Sequence, residues 1–382
     1  MSDEGSAAVI FSLERPDVAA LEALWTGLEP RCEINFYLSW SWIGPWLAEA
    51  GPPDFILVGR SGGEIVCLGL FRRSIQRRHG FVRSRALHLH ETGSQQQDSI
   101  VIEYNGLLTD RRFGRLEAQA IAFLRSNAVE TGRFDEVQLG GIAEEVHEVL
   151  GQAGLATYVR AKKATAFVDL EKVRASDGGY LATLSANTRY QIRRALKIYE
   201  GRGALALEPA RSTGEALLFF DLLGELHEEA WRKRGKEGAW SYPFLVAFHR
   251  RVIETSFTEG GIEIVRISCG GTPIGYIHCL IHGGWIGSYL SGFAYEPDNK
   301  VKPGLVSFYL YIEHRMKAGG EIFDFLAGDH RYKASLGEPG ANMYWVQVAE
   351  PRWHLRLENA LRRVKRRAQS LLGRSPAEDQ AS

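Results

Sequence analysis

Along the second half of the chain the apolar residues switch between a period of two and a period near 3.6, and the switches set the order of elements. Gly179 to Glu200 reads as a helix with Ile192, Ala195, Leu196 and Tyr199 on one face, stopped by Gly201. Ala204 to Glu208 is a strand, Thr213 caps a helix that runs through Trp231, and Ser241-Tyr242-Pro243 opens another that reaches Phe257. Three strands follow, Ile262 to Cys269, Pro273 to His282 and Trp285 to Phe293, with Gly270-Gly271 and Gly283-Gly284 as the tight turns. A polar loop, a helix opened by Pro303-Gly304, a strand from Glu321 to Phe325 and a Gly-rich turn ending in Tyr332-Lys333 come next. Met343 to Val348 is the last strand.

The first half alternates in the same way. Val9 to Leu13, Phe55 to Gly59, Ile65 to Phe71, Asp135 to Leu139, Leu155 to Val159 and Ala164 to Leu170 read as strands, with a hairpin at Ser61-Gly62-Gly63. Helical patterns begin at Pro16-Asp17 and cover Phe36 to Ala50, Gly114 to Glu130 and Ile142 to Leu150. Trp40, Trp42 and Trp46 supply apolar area for a core. Helices and strands in alternation make the whole an α/β (α+β) chain, and 382 residues suit two domains. No Pro/Gly/Ser-rich linker parts them, so the halves are expected to pack together as 1–172 and 173–350, followed by a tail, 351–382.

Composition narrows the function classes. A formal net charge of zero argues against DNA as a partner. Four scattered cysteines with no C-x-x-C pair, and an acidic N-terminus short of apolar residues, fit a cytoplasmic protein. Arg72, Arg73, Arg77, Arg78, Arg83 and Arg85 crowd one hairpin, which faces either solvent or a phosphate-bearing ligand. His88 and His90 alternate on one strand face, but no third ligand is visible nearby, and no metal site is assigned. From Pro351 to Arg374 eight basic residues and one acidic one accompany an apolar stripe, Leu357, Leu361, Val364, Ala368 and Leu371. This basic amphipathic helix either packs its stripe on the domain or docks on an anionic membrane surface.

Five segments in order, LSANTRYQIRRALKIYEG, LHEEAWRKRG, GTPIGYIHCLIHGGWIGSYLSGFAYE, KPGLVSFYL and FDFLAGDHRYKASLG, resemble the Gcn5-related N-acetyltransferase (GNAT) fold. More narrowly they look like the CelD/BcsL group associated with bacterial cellulose and exopolysaccharide synthesis, itself similar to FemAB aminoacyltransferases with two GNAT units per chain. The resemblance implies two tandem GNAT-like domains, each a mixed, mostly antiparallel sheet flanked by helices. It further implies transfer of an acyl group from acetyl-CoA or another acyl-CoA to a sugar or amino-sugar. Where the family carries a Gly-rich donor loop, DNKVKPGLVSF has one glycine, which leaves two further readings open. One is a FemAB-like transferase using aminoacyl-tRNA; the other is a non-catalytic binding protein of polysaccharide assembly.

A GNAT-like sheet parts between its two central strands, here Trp285 to Phe293 and Glu321 to Phe325. Exposed backbone there suits an amide-rich ligand such as pantetheine. The helix N-terminus at Pro303, Gly304 and Leu305, with Lys300 and Lys302, then meets phosphate, unless Pro303-Gly304 is only a helix start. Asp324 lies in a buried strand and needs a partner or a function, and Asp329, after Gly328 past the end of that strand, is either a catalytic candidate or an ordinary turn-forming Asp. By resemblance to FemAB-type enzymes Lys333 lies near the reacting carbonyl, and Tyr332 is either a general acid or a core ring. His278 and Glu228 are candidate general bases. Arg189, Arg193 and Arg194, with His227 and Trp231, are candidate acceptor contacts for a phosphate-linked sugar.

Overall fold

The computed structural model describes residues 8–15, 17–78, 82–127, 133–328, 331–349 and 360. Asp329 and all of the tail except residue 360 lie outside the described residues. In chain order the strands are β1 (Ile10–Glu14), β2 (Phe55–Ser61), β3 (Glu64–Arg78), β4 (Val82–Leu89), β5 (Leu108–Thr109), β6 (Glu136–Ala143) and β7 (Thr157–Asp169). They continue as β8 (Leu205–Pro209), β9 (Ile262–Cys269), β10 (Thr272–His282), β11 (Trp285–Phe293), β12 (Ile322–Asp324) and β13 (Glu338–Ala349).

These strands form a single sheet in the order β1-β2-β3-β4-β6-β13-β7-β12-β11-β10-β9-β8, with β5 paired to β3. The fold is mixed α/β, its sheet mostly antiparallel and flanked by helices. The order is symmetric about β13 and β7. From either edge come four antiparallel strands, then a fifth that pairs parallel, β6 on β4 and β12 on β11. The sixth is exchanged: β7 precedes the C-terminal half in sequence yet pairs with β12, and β13 follows it yet pairs with β6. Because β13 also pairs with β7, the ladder runs unbroken between the halves.

Helices cover both faces. On one, the Val18–Leu28, Trp40–Ala50, Thr213–Arg232 and Pro243–Ser256 helices contribute to a core containing Trp25, Trp42, Trp46, Phe220 and Phe248, shared by the two halves. On the other, the Ala186–Glu200 and Pro303–Lys317 helices cover the C-terminal strands. The Glu117–Ser126 and Glu144–Gln152 helices cover the N-terminal ones. Trp42 and Trp46 are buried, and the Ser61-Gly62-Gly63 turn joins β2 to β3 with both glycines at positive φ, as a tight hairpin requires.

Several boundaries differ from the sequence reading, each for a local reason. The two strands expected between Leu155 and Leu170 are one, β7, because a bulge at Arg160 carries the polar Arg160–Lys163 stretch through the ladder. The helix expected from Gly179 breaks into Gly179–Thr183 and Ala186–Glu200, because Ser185 turns extended and its Oγ accepts the Thr188 N–H at 3.2 Å. Ser212, not Thr213, caps the next helix by accepting the Glu215 N–H at 3.2 Å. The turn expected at Tyr332-Lys333 is helical, Arg331–Leu336.

Candidate active site

The two central strands part after a short union. β11 and β12 pair at Trp285↔Ile322, Ile286↔Phe323 and Gly287↔Asp324, and no further. The chain after Asp324 follows β7 instead: Phe325 N–H donates to Ala166 O at 2.8 Å and Gly328 N–H to Ala164 O at 3.1 Å. Leu326 absorbs the change of direction at φ 62°, in the left-handed region that a branched side chain rarely adopts. On its other edge β11 stays bonded to β10, with Tyr289 the extra residue of a bulge between His278↔Leu290 and Cys279↔Ser288. Ser288 to Phe293 therefore present a strand edge to a cavity of about 560 Å³.

One end of the cavity is built for negative charge. The Pro303–Lys317 helix begins there with no side-chain cap, and Lys302, Gly304, Leu305 and Arg234 line the wall. The first N–H groups of a helix have no intrahelical acceptor, so those of Gly304 and Leu305 are available to an anion. On the same wall Gly292 makes close packing possible, since a Cβ there would lie 2.3 Å from Leu223 O on the crossing helix.

The other end holds an acid–base group that the sequence reading did not single out. Glu103, from the N-terminal half, is 6 % exposed and lines the cavity, and its Oε2 accepts the Ala327 N–H at 2.8 Å. Burial pushes its carboxyl up to about 7; the Ala327 N–H opposes this, the nearby Asp324 adds to it, and Lys333 and Lys163 pull it back. Lys333 is 7 % exposed, and its Nζ donates to Ala327 O at 2.8 Å and Leu326 O at 3.1 Å. A single peptide turn, 326–327, thus holds the carboxylate by its N–H and the ammonium by its carbonyls. Underneath, Asp324 Oδ1 accepts the Leu326 N–H at 2.7 Å, while Oδ2 takes the Trp285 Nε1–H at 3.3 Å and the Tyr104 hydroxyl. Asp324 is a positioning residue that fixes this turn; its carboxyl is raised by burial and does not line the cavity. Val101 and Tyr104, close to Glu103 in the chain, also sit at positive φ, 41° and 50°, so with Leu326 three of the five described non-glycine residues in that region belong to this site.

The remaining sequence candidates divide. Tyr332 lines the cavity but stacks on Phe308 at 5.4 Å, and burial raises its hydroxyl pKa. His227 and Trp231 line it too; His227 Nδ1 bonds Ser291 O at 3.1 Å and its Nε2 accepts the Ala239 N–H at 3.3 Å, which fixes the neutral ring. Glu228 accepts the Trp240 N–H at 3.0 Å as a turn cap outside the cavity lining. His278 is fully buried against Phe220 and His249, pushed down to about 3 by burial, and does not line the cavity. Lys300 is exposed on the loop and Pro303 is buried; neither lines the wall. Arg189 bonds Leu184 O and Ala182 O across the helix break, Arg193 is exposed, and Arg194 lies over Tyr190 at 5.4 Å, all away from the cavity lining. His88 bonds Ser74 Oγ at 2.8 Å and His90 bonds Asn105 Oδ1 at 2.9 Å. Among the described residues no group of three or more His, Cys, Asp or Glu could hold a metal ion.

A parted strand pair, an anion-ready helix end and an acid–base group around one cavity are the parts an acyl-transfer site needs. Residues 186–334 match the acetyltransferase (GNAT) domain. The C-terminal half therefore carries an acyltransferase domain, and its matched stretch contains β11, the Pro303 helix and Lys333 but not Glu103. Among solved structures the chain is similar to FemX, with a TM-score of 0.56, 11% identity and 89% of this chain covering 97% of that one. It is also similar to L-PGS from Bacillus licheniformis, TM-score 0.51, 14% identity, 91% against 97%. A conserved protein of unknown function from Bacteroides thetaiotaomicron matches at 0.52, 11% identity, 89% against 100%. These likenesses establish a common fold over nearly the whole chain. No curated protein matches it.

Proposed function

We propose that the protein transfers an acyl group, acetyl in the simplest case, from an acyl-CoA thioester to an amine or hydroxyl of a sugar or amino-sugar. The observation that carries this reading is the joining of the free β11 edge, the uncapped Pro303 helix and the Glu103–Lys333 turn in one cavity. The donor's pantetheine amides bond along Ser288–Phe293, and its pyrophosphate meets the Gly304 and Leu305 N–H groups with Lys302 and Arg234. Its carbonyl then reaches the inner end. There Glu103, partly ionised near neutral pH, takes the proton of the attacking amine or hydroxyl. The new C–N or C–O bond forms, the Lys333 ammonium stabilises the developing oxyanion, and the C–S bond breaks to release the thiolate. Motif resemblance to the CelD/BcsL group supports an acceptor from exopolysaccharide or envelope synthesis and a cytoplasmic site of action. No described helix is long and apolar enough to cross a membrane.

A second reading has its own support. The stretch DNKVKPGLVSF has a single glycine, Gly304, inside the helix start, where an acyl-CoA cradle is richer, and the fold extends to FemX over most of the chain. Under that reading an aminoacyl ester on tRNA delivers the carbonyl to the same turn. Isothermal titration with CoA and acetyl-CoA, and thiol release in the presence of amino-sugars, tests the first reading. Binding of charged tRNA with none of CoA would replace it by the second; binding of neither would favour a non-catalytic role.

A further inference from the structure

The β3–β4 hairpin runs past the rest of the sheet. β2 leaves β3 at Phe71, and β6 meets β4 only from Ala86 to His88, so residues 74–78 and 82–85 form a two-stranded ribbon. Its inner face is tied down: Gln76 Nε2 donates to Ser74 Oγ at 2.7 Å and Gly93 O at 3.2 Å, and Ser84 Oγ to Glu136 at 2.8 Å. Its outer face carries Arg73, Ile75, Arg77, Arg83 and Arg85, all exposed. Arg73 and Arg85 have carboxylate partners, Asp54 at 3.8 Å and Asp135 at 3.3 Å. Arg77 and Arg83 stand directly opposite each other, and no carboxylate among the described residues pairs with either.

Like charges at directly opposed positions of an antiparallel pair repel, so the Arg77–Arg83 pair is a local cost to the ribbon. Along β3 between Arg73 and Arg77, Ile75, which faces Arg85, is 60% exposed. A cationic face with an apolar centre complements a surface that offers phosphates above hydrocarbon. We infer that the β3–β4 ribbon docks the protein on an anionic phospholipid surface, with Arg77 and Arg83 between headgroup phosphates and Ile75 entering the acyl boundary. None of these residues lines the acyl-transfer cavity, so docking and chemistry are separable.

The test is sedimentation of the full-length protein with vesicles of phosphatidylcholine alone and of phosphatidylcholine mixed with phosphatidylglycerol. Wild type is expected to pellet only with the anionic vesicles, and less as salt rises. Arg77→Gln/Arg83→Gln keeps the tail and is expected to lower partitioning roughly 25-fold, about fivefold per arginine, with no loss of melting temperature. Ile75→Ser is expected to remove the part of binding that persists in salt. Equal pelleting of wild type and the double variant, or no pelleting of wild type at low salt, would overturn the inference. So would arginine-dependent binding to single-stranded RNA without vesicle binding.

Discussion

Replacing Glu103 by Gln separates its role as a base from its role as a structural acceptor. The amide oxygen can still accept the Ala327 N–H, so the 326–327 turn keeps its hold. What disappears is a titrating group raised from 4.5 to about 7, mainly by burial. The sign follows from proton linkage: between those values the folded state binds more protons than the unfolded one, so wild-type stability falls as pH rises through this window. The difference of pKa corresponds to about 3 kcal/mol as an upper figure. Glu103→Gln is thus expected to match wild type near pH 4 and to be more stable by up to about 3 kcal/mol near pH 8. Urea denaturation across this pH range reads it directly. The same substitution should lower turnover roughly 100-fold or more and abolish the rise of rate with pH through about 7. A variant with unchanged stability at both pH values, or with wild-type turnover, would refute the assignment.

Three further outcomes follow from the same geometry. Lys333→Ala strands the Leu326 and Ala327 carbonyls, so it should cost about 1–3 kcal/mol in denaturation as well as roughly 100-fold in turnover. Lys302→Ala should weaken donor binding by about 1 kcal/mol, roughly fivefold in KM, with kcat unchanged. Gly292→Ala forces a Cβ against Leu223 O and should destabilise the protein by about 1–3 kcal/mol, read as a lower melting temperature.

Local chemistry was legible in the sequence where a few neighbouring residues decide it. Gly270-Gly271 and Gly283-Gly284 mark hairpins that the structure contains, and Pro303 opens its helix at the first position, as its missing N–H allows. The alternation of β9, β10 and β11 and the helix periods between them give the mixed α/β class. What depends on distant residues was not legible. Glu103 and Ala327 are far apart in sequence, and nothing around Glu103 distinguishes it from a surface glutamate until the turn closes on it. The exchange of β7 and β13 between the sheet halves likewise leaves no local trace. Asp324 stands out in the sequence as a charge within an apolar strand, and in the fold its carboxylate holds Leu326, Trp285 and Tyr104. His278 and Glu228 suit a base by residue type alone; burial and a turn cap occupy them.

Amide hydrogen exchange of the Ser288–Phe293 segment with and without CoA addresses the central claim, that the donor lies along the open edge of β11. Protection of that segment and of the first turn after Pro303 on CoA addition is the result expected. Unchanged exchange in both at saturating CoA, or protection confined to other parts of the sheet, would contradict it.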